Sequence, residues 1–244
     1  MSRIVSLVPS ITELLCDLGL TEQIVGRTGF CIHPREIVRR IPKVGGTKSV
    51  NIGKIRALEP THVIVNVDEN EKPTADAIWQ FVPHLVVTHP LAPLDNLALY
   101  RQMGALFNKE REAEELCARF QAEYDEAVSR SYTQRNALYL IWKDPWMTVS
   151  RDTYISRTIA LFGLNTLPAD ATDRYPKLTL DEPWLSGVEE ILLSSEPYAF
   201  REKHLREVSG RLGKPARLID GEMTSWYGSR AIRGLGYLAQ FVKK

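Results

Sequence analysis

Aromatic and charged side chains occur together in two short segments of this 244-residue sequence. One segment reads Trp-Lys-Asp-Pro-Trp from Trp142 to Trp146, and the other runs from Glu222 to Arg230. A covered tryptophan buries roughly 150–250 Å², so these indole rings favour contact with a flat apolar surface. Lys143 and Arg230 carry the charges that pair with carboxylate or phosphate groups. The two segments therefore predict a binding site for a small ligand.

Carboxylates and hydroxyls accompany these segments at the ends of predicted strands. Glu69, Glu196 and Glu222 are expected to accept hydrogen bonds from the ligand or to approach a metal that it carries. The candidate ligand-binding residues are Ser10, Phe30, Cys31, His33, Thr47, Glu69, Trp142, Lys143, Trp146, Glu196, Tyr198, Glu222, Trp226, Tyr227, Ser229 and Arg230.

Cys31 and His33 leave a second interpretation open, as a metal pair or as a nucleophile and its base. A zinc site needs a third and usually a fourth ligand, and no second cluster supplies them, so we assign no metal site. The sequence has no GxSxG, GxGxxG or GxxxxGK[ST] motif, and we assign no catalytic residue. A cytoplasmic enzyme or ligand sensor that uses Cys31, His33 and Glu222 is the alternative hypothesis. A structural or regulatory partner without a small ligand is a further one.

Composition excludes several other classes of protein. Hydrophobic residues make up 44% and charged residues 25%, with a formal net charge of +1, which describes an ordinary globular domain without a nucleic-acid signature. No apolar run approaches the roughly 20 residues of a membrane span. Three cysteines without a CxxC pair are typical of a reducing compartment. With no export signal after Met1, we expect a cytoplasmic location, or a periplasmic one if a leader is missing from this chain.

The predicted strands and helices fall into two similar halves of the sequence. In the first, an apolar strand over Ile4–Val8 leads into a helix with a predicted Ser10…Glu13 capping box. Further strands are predicted at Ile24–Arg27, His62–Asn66 and Leu85–Thr88, with a helix capped by Asn51. The second half repeats this order with strands at Ala137–Trp142, Ile191–Ser194 and Arg217–Ile219, and helices at Tyr154–Phe162, after Thr179…Glu182, and at Ser229–Val242.

A helical stretch from about Asp95 to Tyr132 separates the halves, with Asn108 as its predicted interruption. Its apolar residues recur every three or four positions. We therefore predict an α/β fold of two similar lobes with mainly parallel sheets, joined by a long rigid helix. The predicted ranges are an N-terminal lobe at 1–92, a linking helix region at 93–132 and a C-terminal lobe at 133–244. Ligand would bind in the cleft between the lobes.

The sequence resembles the periplasmic binding proteins with a helical backbone, whose members include receptors for cobalamin, haem and ferric siderophores. The resemblance rests on Ile4–Leu15, on the stretch from Val44 to Ile64 with its Ala-Leu-x-Pro segment, and on Asp220–Arg230. It implies two α/β lobes, a small ligand such as a corrinoid or another metal chelate, and delivery to an ABC permease. No cofactor beyond such a ligand is implied, and neither nucleic-acid binding nor membrane insertion is expected.

Alignment with the cobalamin receptors of this family implies a changed pocket. Trp226 matches a pocket tryptophan and Phe30 replaces an aromatic residue, whereas Asn66 and Val87 stand where two other pocket tryptophans would lie. Receptors that dock on a permease carry an exposed glutamate on each lobe. Glu182 matches the second position, but Gly53 occupies the first. We therefore expect a binding protein of this family, in a branch without a leader and with a rebuilt pocket.

Overall fold

The computed structural model describes residues 2–170 and 172–243. The chain divides into two compact units. The first contains residues 1–90, 94–120 and 227–230, and the second contains residues 91–93, 121–226 and 231–244. A short segment near the C-terminus thus belongs to the N-terminal unit. The three ranges predicted from the sequence stay a prediction.

The first unit has a parallel sheet whose strands are short and mostly buried. They are β1 (Ile4–Ser6), β2 (Ile24–Arg27), β3 (His62–Asn66) and β4 (His84–Thr88), in the order β2-β1-β3-β4. Near-continuous apolar sequence suits a sheet covered on both faces. Its core includes Val5, Leu7, Ile55, Val63 and Ile78.

The helices of this unit follow its strands. They are α1 (Pro9–Asp17), α2 (Arg35–Val38), α3 (Ile52–Ala57), α4 (Lys72–Trp79), α5 (Asp95–Phe107) and the first half of α6 (Glu110–Ser129), with a 3-10 turn at Thr21–Gln23. Asn51 caps α3 through its side chain, and Asn108 adopts a left-handed conformation between α5 and α6; both predictions are confirmed. The 20 residues of α6 span about 30 Å.

The predicted Ser10…Glu13 capping box is wrong. The N-cap of α1 is Val8, with no side-chain hydrogen bond, and the helix begins at Pro9. Proline is favoured at the first helical position because its fixed φ suits the helix and its missing N–H costs nothing there. Ser10 therefore lies inside the first turn of α1, and the Glu13 side chain does not cap this helix.

The second unit has a mixed sheet and its own helices. Its strands are β5 (Arg135–Trp142), β6 (Trp146–Thr148), β7 (Leu164–Thr166), β8 (Lys177–Leu178), β9 (Glu190–Ser194) and β10 (Ala216–Ile219). Its helices are the second half of α6, α7 (Tyr154–Ala160), α8 (Glu202–Leu212), α9 (Gly221–Ser225) and α10 (Arg230–Phe241), with a 3-10 helix at Pro183–Gly187. Helix α10 begins at Arg230, which is the last residue of the first unit.

The parallel strands of the two units repeat one plan. In the second unit β7, β5, β9 and β10 lie side by side, in the same relation as β2, β1, β3 and β4 in the first. Strand β6 pairs antiparallel with the carboxyl-terminal part of β5, and β8 pairs antiparallel with β6, so these two strands extend the second sheet. The predicted fold class, two similar α/β lobes with mainly parallel sheets, is confirmed. Among the described residues, no helix has the length and hydropathy to cross a membrane.

Candidate functional site

The carboxyl edge of the first sheet places Glu69 beside the C-terminal segment. Glu69 follows β3, and its Oε1 accepts a hydrogen bond of 2.7 Å from the Tyr227 hydroxyl. Tyr227 is 6% exposed. Burial, and then the neighbouring Glu69 carboxylate, raise the pKa of this phenol well above its usual value, so the hydroxyl stays protonated and donates. Two predicted site residues, 158 positions apart, are thus brought together.

Residues 227–230 are anchored in the first unit by further bonds. The Gly228 N–H donates to Asn96 Oδ1 at 2.6 Å, and the Tyr100 hydroxyl donates to the Gly228 carbonyl at 2.9 Å. Arg230 donates from Nε and Nη2 to the two oxygens of Glu13, at 2.7 and 2.9 Å. Both side chains of this pair are about 5% exposed or less. The sequence assigned Arg230 to the ligand, whereas the structure gives it a buried partner within the protein.

Cys31 is buried while its neighbour Phe30 is exposed. The Thr12 hydroxyl donates to the Cys31 sulfur at 3.1 Å, and Thr28 lies 3.2 Å from it. Burial raises the pKa of the thiol. Because the thiolate is the nucleophile, this environment makes Cys31 a poor one. His33 and Thr47 are half-buried, and Ser10 and Ser229 are buried.

The second unit gathers its own polar group at the carboxyl edge of β9. Oε1 of Glu196 accepts hydrogen bonds from the Trp226 indole N–H at 2.6 Å and from the Ser225 hydroxyl at 2.9 Å. Burial raises the pKa of Glu196, and Glu222 and Asp220 add to the rise, against the lowering effect of the two hydrogen bonds. This carboxyl group orients the ring of Trp226, which is 7% exposed.

Lys143 of the second unit lies beside a pair of stacked aromatic rings. The Lys143 ammonium bonds to Glu207 Oε1 at 2.6 Å and lies 5.2 Å from the centre of the Trp146 ring. Trp146 stacks on Phe200, with ring centres 6.1 Å apart. These contacts give Lys143 and Trp146 partners inside the unit. Their predicted roles toward a ligand stay predictions.

Each of the two sheets carries exposed apolar side chains at or near its carboxyl edge. Phe30 is 61% exposed after β2, Val67 52% after β3, and Val87 53% near the end of β4. In the second unit Trp142, the last residue of β5, is 40% exposed and meets Tyr198 edge to face, with ring centres 5.6 Å apart. Isolated exposed apolar residues are ordinary, but three of them at the carboxyl edge of the first sheet, the edge where open α/β sheets bind ligands, indicate a contact surface on that unit.

A pocket of about 340 Å³ lies at the same edge of the first unit. Val87, His89 and Leu99 are among its lining residues, and His89 Nε2 is 3.5 Å from Asp68 Oδ1. None of the candidate ligand-binding residues predicted from the sequence lines this pocket. The signal that could have found it is the alignment, which places a pocket tryptophan of the cobalamin receptors at Val87. Within residues 2–170 and 172–243, no group of three or more His, Cys, Asp or Glu side chains is arranged to hold a metal ion.

Comparison with known proteins decides the family. The family model described as periplasmic binding protein matches residues 4–184. This chain belongs to the periplasmic binding protein family. A curated relative, an uncharacterised ABC transporter substrate-binding lipoprotein (YvrC) of Bacillus subtilis, is 23% identical over 98% of this chain and 79% of its own length.

Solved structures of periplasmic binding proteins share the fold. The periplasmic vitamin B12-binding protein BtuF of Vibrio cholerae superposes with a TM-score of 0.83 at 16% identity, over 99% of this chain and 96% of its own. The periplasmic heme-binding protein RhuT of Roseiflexus sp. RS-1 gives 0.83 at 22% identity, over 99% and 98%. These relatives are named as binding proteins, and none of the three supports the enzyme alternative built on Cys31, His33 and Glu222.

The names of these three relatives also bear on location and partners. One is a lipoprotein and two are periplasmic, so the comparisons do not support the cytoplasmic location expected from the sequence. Glu182, at the position matched to a permease-docking glutamate, accepts hydrogen bonds from the Thr179 N–H at 3.0 Å and the Trp184 indole at 2.6 Å. Gly53 lies in the first turn of α3.

Proposed function

We propose that this protein is the substrate-binding component of an ABC transporter and binds a flat metal chelate of the corrinoid or haem class. The observation that carries the proposal is the set of exposed apolar side chains at the carboxyl edges of the sheets. Phe30, Val67, Val87 and Trp142 are each 40% exposed or more. Such surface is retained at ligand-binding sites because ligand covers it.

The polar groups at these edges support the same ligand class. The Tyr227–Glu69 and Trp226–Glu196 hydrogen bonds fix aromatic rings beside carboxylates at 2.7 and 2.6 Å. Corrinoids and haem combine a broad apolar ring with peripheral polar groups, which calls for apolar walls and a few fixed polar contacts. The absence of the two pocket tryptophans at Asn66 and Val87 favours a ligand other than cobalamin itself.

The test is a titration with cyanocobalamin, haemin and a ferric hydroxamate, followed by tryptophan quenching and by thermal shift. At least one chelate is expected to bind saturably. Replacing Trp142 with alanine should weaken that binding by about 1–2 kcal/mol, roughly 5- to 30-fold, because the apolar surface it covers is lost. Phe30→Ala should weaken it by a similar factor.

Trp79→Ala is the matched control. Trp79 is 59% exposed at the end of α4, and in a β-α-β arrangement that end lies at the opposite edge of the sheet. Its replacement should leave affinity unchanged. Equal losses of chelate affinity in the Trp79→Ala and Trp142→Ala variants would mean that the carboxyl edge is not the binding surface. If no chelate binds saturably, the proposed ligand class is wrong.

Transport is tested separately from binding. Glu182→Ala should leave chelate affinity unchanged and should lower the rate of uptake in a reconstituted system with the cognate permease. Uptake at the wild-type rate would show that the Glu182 carboxylate serves only its bonds to Thr179 and Trp184.

A further inference from the structure

Positive charge is concentrated in one stretch of the first unit. Residues 27–58 contain eight Lys and Arg residues and one acidic residue, Glu36, whereas the whole chain is nearly balanced, with 31 basic and 30 acidic residues. Half of the eight lie within nine positions, at Arg35, Arg39, Arg40 and Lys43. We call residues 35–43 the basic segment. Such a local excess of one sign of charge indicates a surface that attracts a negatively charged partner.

The fold holds the basic segment against the outer edge of the first sheet. Strand β2 is the edge strand in the order β2-β1-β3-β4, and its outer side meets the end of the segment. There the Arg27 N–H donates to the Pro42 carbonyl at 3.0 Å, and the Val44 N–H donates to the Arg27 carbonyl at 2.9 Å. Helix α2 forms the start of the segment and buries Val38. The segment therefore has one side fixed toward the core and the other toward solvent.

All four cations of the basic segment are exposed to solvent. Arg39 forms an ion pair with Glu36 at 2.7 Å, and both side chains are at least 60% exposed, so the pair is weak. In the part of the chain that the structure describes, Arg35, Arg40 and Lys43 form no ion pair. Most of the positive charge of the segment is therefore not neutralised within the protein.

A fifth cation lies beneath the basic segment. Arg27 is 4% exposed, and its guanidinium donates to the Val38 carbonyl at 2.7 Å and to the Thr28 carbonyl at 3.0 Å. Among residues 2–170 and 172–243, no carboxylate pairs with it. Because a buried charge is screened less by salt than an exposed one, Arg27 adds to the positive potential at the surface of the segment.

Exposed apolar side chains accompany these cations. Ile32 is 46% exposed, three residues before Arg35, and Pro42 is exposed beside Lys43. Cations next to apolar side chains are typical of surfaces that rest on anionic membranes, where lipid phosphates meet the cations and the apolar groups enter the headgroup layer. A bilayer also presents many mobile phosphates, so it can match cations that are spread over a short helix and the loop after it.

We propose that the basic segment is a peripheral contact with an anionic lipid bilayer. Its four exposed cations bind lipid phosphates at the surface of the bilayer, and Ile32 enters the headgroup layer beside them. The contact does not depend on a bound chelate. It is therefore tested on chelate-free protein, where its failure would say nothing about the proposed function.

The test is co-sedimentation of the full chain with vesicles of equal parts phosphatidylglycerol and phosphatidylcholine, and with vesicles of phosphatidylcholine alone. Binding is expected to the anionic vesicles only. It should fall as salt is raised from about 0.1 M to 1 M, because the Debye length shortens from about 10 Å to about 3 Å. The double variant Arg40→Gln with Lys43→Gln removes two cations that have no ion pair. It should weaken binding about 25-fold, at about fivefold per cation near an anionic surface.

Lys203→Gln with Arg206→Gln is the matched control. It removes one Lys and one Arg from exposed positions of α8, which changes the net charge by the same amount, and it should bind anionic vesicles like wild type. Equal losses in the two double variants would mean that net charge, and not the basic segment, causes the binding.

Two further results would overturn the proposal. Protein that stays in the supernatant with anionic vesicles at about 0.1 M salt, where the Debye length is still about 10 Å, would show that the segment does not bind a bilayer. Displacement of bound protein by millimolar glycerol phosphate would show that the segment binds single phosphate groups instead. Binding to polyglutamate but not to anionic vesicles would assign the segment to an acidic protein partner.

Discussion

The Arg230–Glu13 pair gives the sharpest test of how the C-terminal segment is held. The pair closes a span of 217 residues, with two hydrogen bonds of 2.7 and 2.9 Å. Its side chains are 4% and 5% exposed, so solvent screens the charges little. Arg230→Met removes the guanidinium that makes these two hydrogen bonds, so the buried Glu13 carboxylate loses this ion pair. Breaking a buried pair in this way costs about 3–5 kcal/mol, and we expect that loss in the free energy of unfolding.

Urea denaturation followed by circular dichroism measures this loss, and hydrogen exchange locates it. Exchange should increase first in α1 and in residues 227–230. The double variant Glu13→Met with Arg230→Met should recover most of the stability, because an apolar pair of similar volume replaces a buried ion pair at little net cost. Arg206→Met, at an exposed position of α8, is the control and should change stability by less than about 0.5 kcal/mol.

Two results would refute this reasoning. A loss below about 1 kcal/mol for Arg230→Met is the size expected of an exposed ion pair and would mean that the pair is not buried. A double variant no more stable than Arg230→Met would mean that lost packing, and not the loss of the ion pair, causes the effect.

Three further predictions concern single groups. The folded-state pKa of Glu196 is raised, so the contribution of this group to stability is largest below the unfolded pKa of about 4.3 and is lost as pH rises through the folded pKa. The stability of Glu196→Gln relative to wild type, measured in denaturation curves, should therefore increase with pH over that window. A difference that does not change with pH would contradict the burial of Glu196. Gly163→Ala should destabilise the fold by at least about 1–2 kcal/mol and so lower the melting temperature, because the new Cβ would lie 2.5 Å from the Thr133 carbonyl oxygen. An unchanged melting temperature would contradict this backbone geometry. Burial raises the pKa of the Cys31 thiol, so Cys31 should resist alkylation by iodoacetamide in the folded protein and react in urea, as measured by mass spectrometry of the alkylated peptides. Rapid labelling of the folded protein would support Cys31 as a nucleophile.

Strands with continuous apolar sequence could be predicted because burial on both faces leaves a clear pattern. The predicted strands Ile24–Arg27 and His62–Asn66 match β2 and β3 residue for residue. Strands β6 and β8 were missed because they have three and two residues, too few to show a period. Helix α8 was missed because its sequence is mostly polar, with apolar residues only on the side that packs.

The partners of the candidate residues were harder to predict, because they are set by tertiary contacts. Nothing near Arg230 in the sequence indicates Glu13, and the capping-box pattern pointed Glu13 to the wrong partner. Glu69 follows β3, Trp142 ends β5 and Glu196 follows β9, and their roles toward a ligand stay predictions. Which of the candidate residues bond to each other, as Tyr227 and Glu69 do, could not be read from spacing.

The proposed function requires that the exposed apolar edges of the sheets bind a flat metal chelate. Mass spectrometry under non-denaturing conditions, on the protein incubated with haemin, cyanocobalamin and a ferric hydroxamate, tests it most directly. We expect a one-to-one complex with at least one chelate that survives in Trp79→Ala and is depleted in Trp142→Ala. Protein that stays free of all three chelates at concentrations that saturate known binding proteins would contradict it.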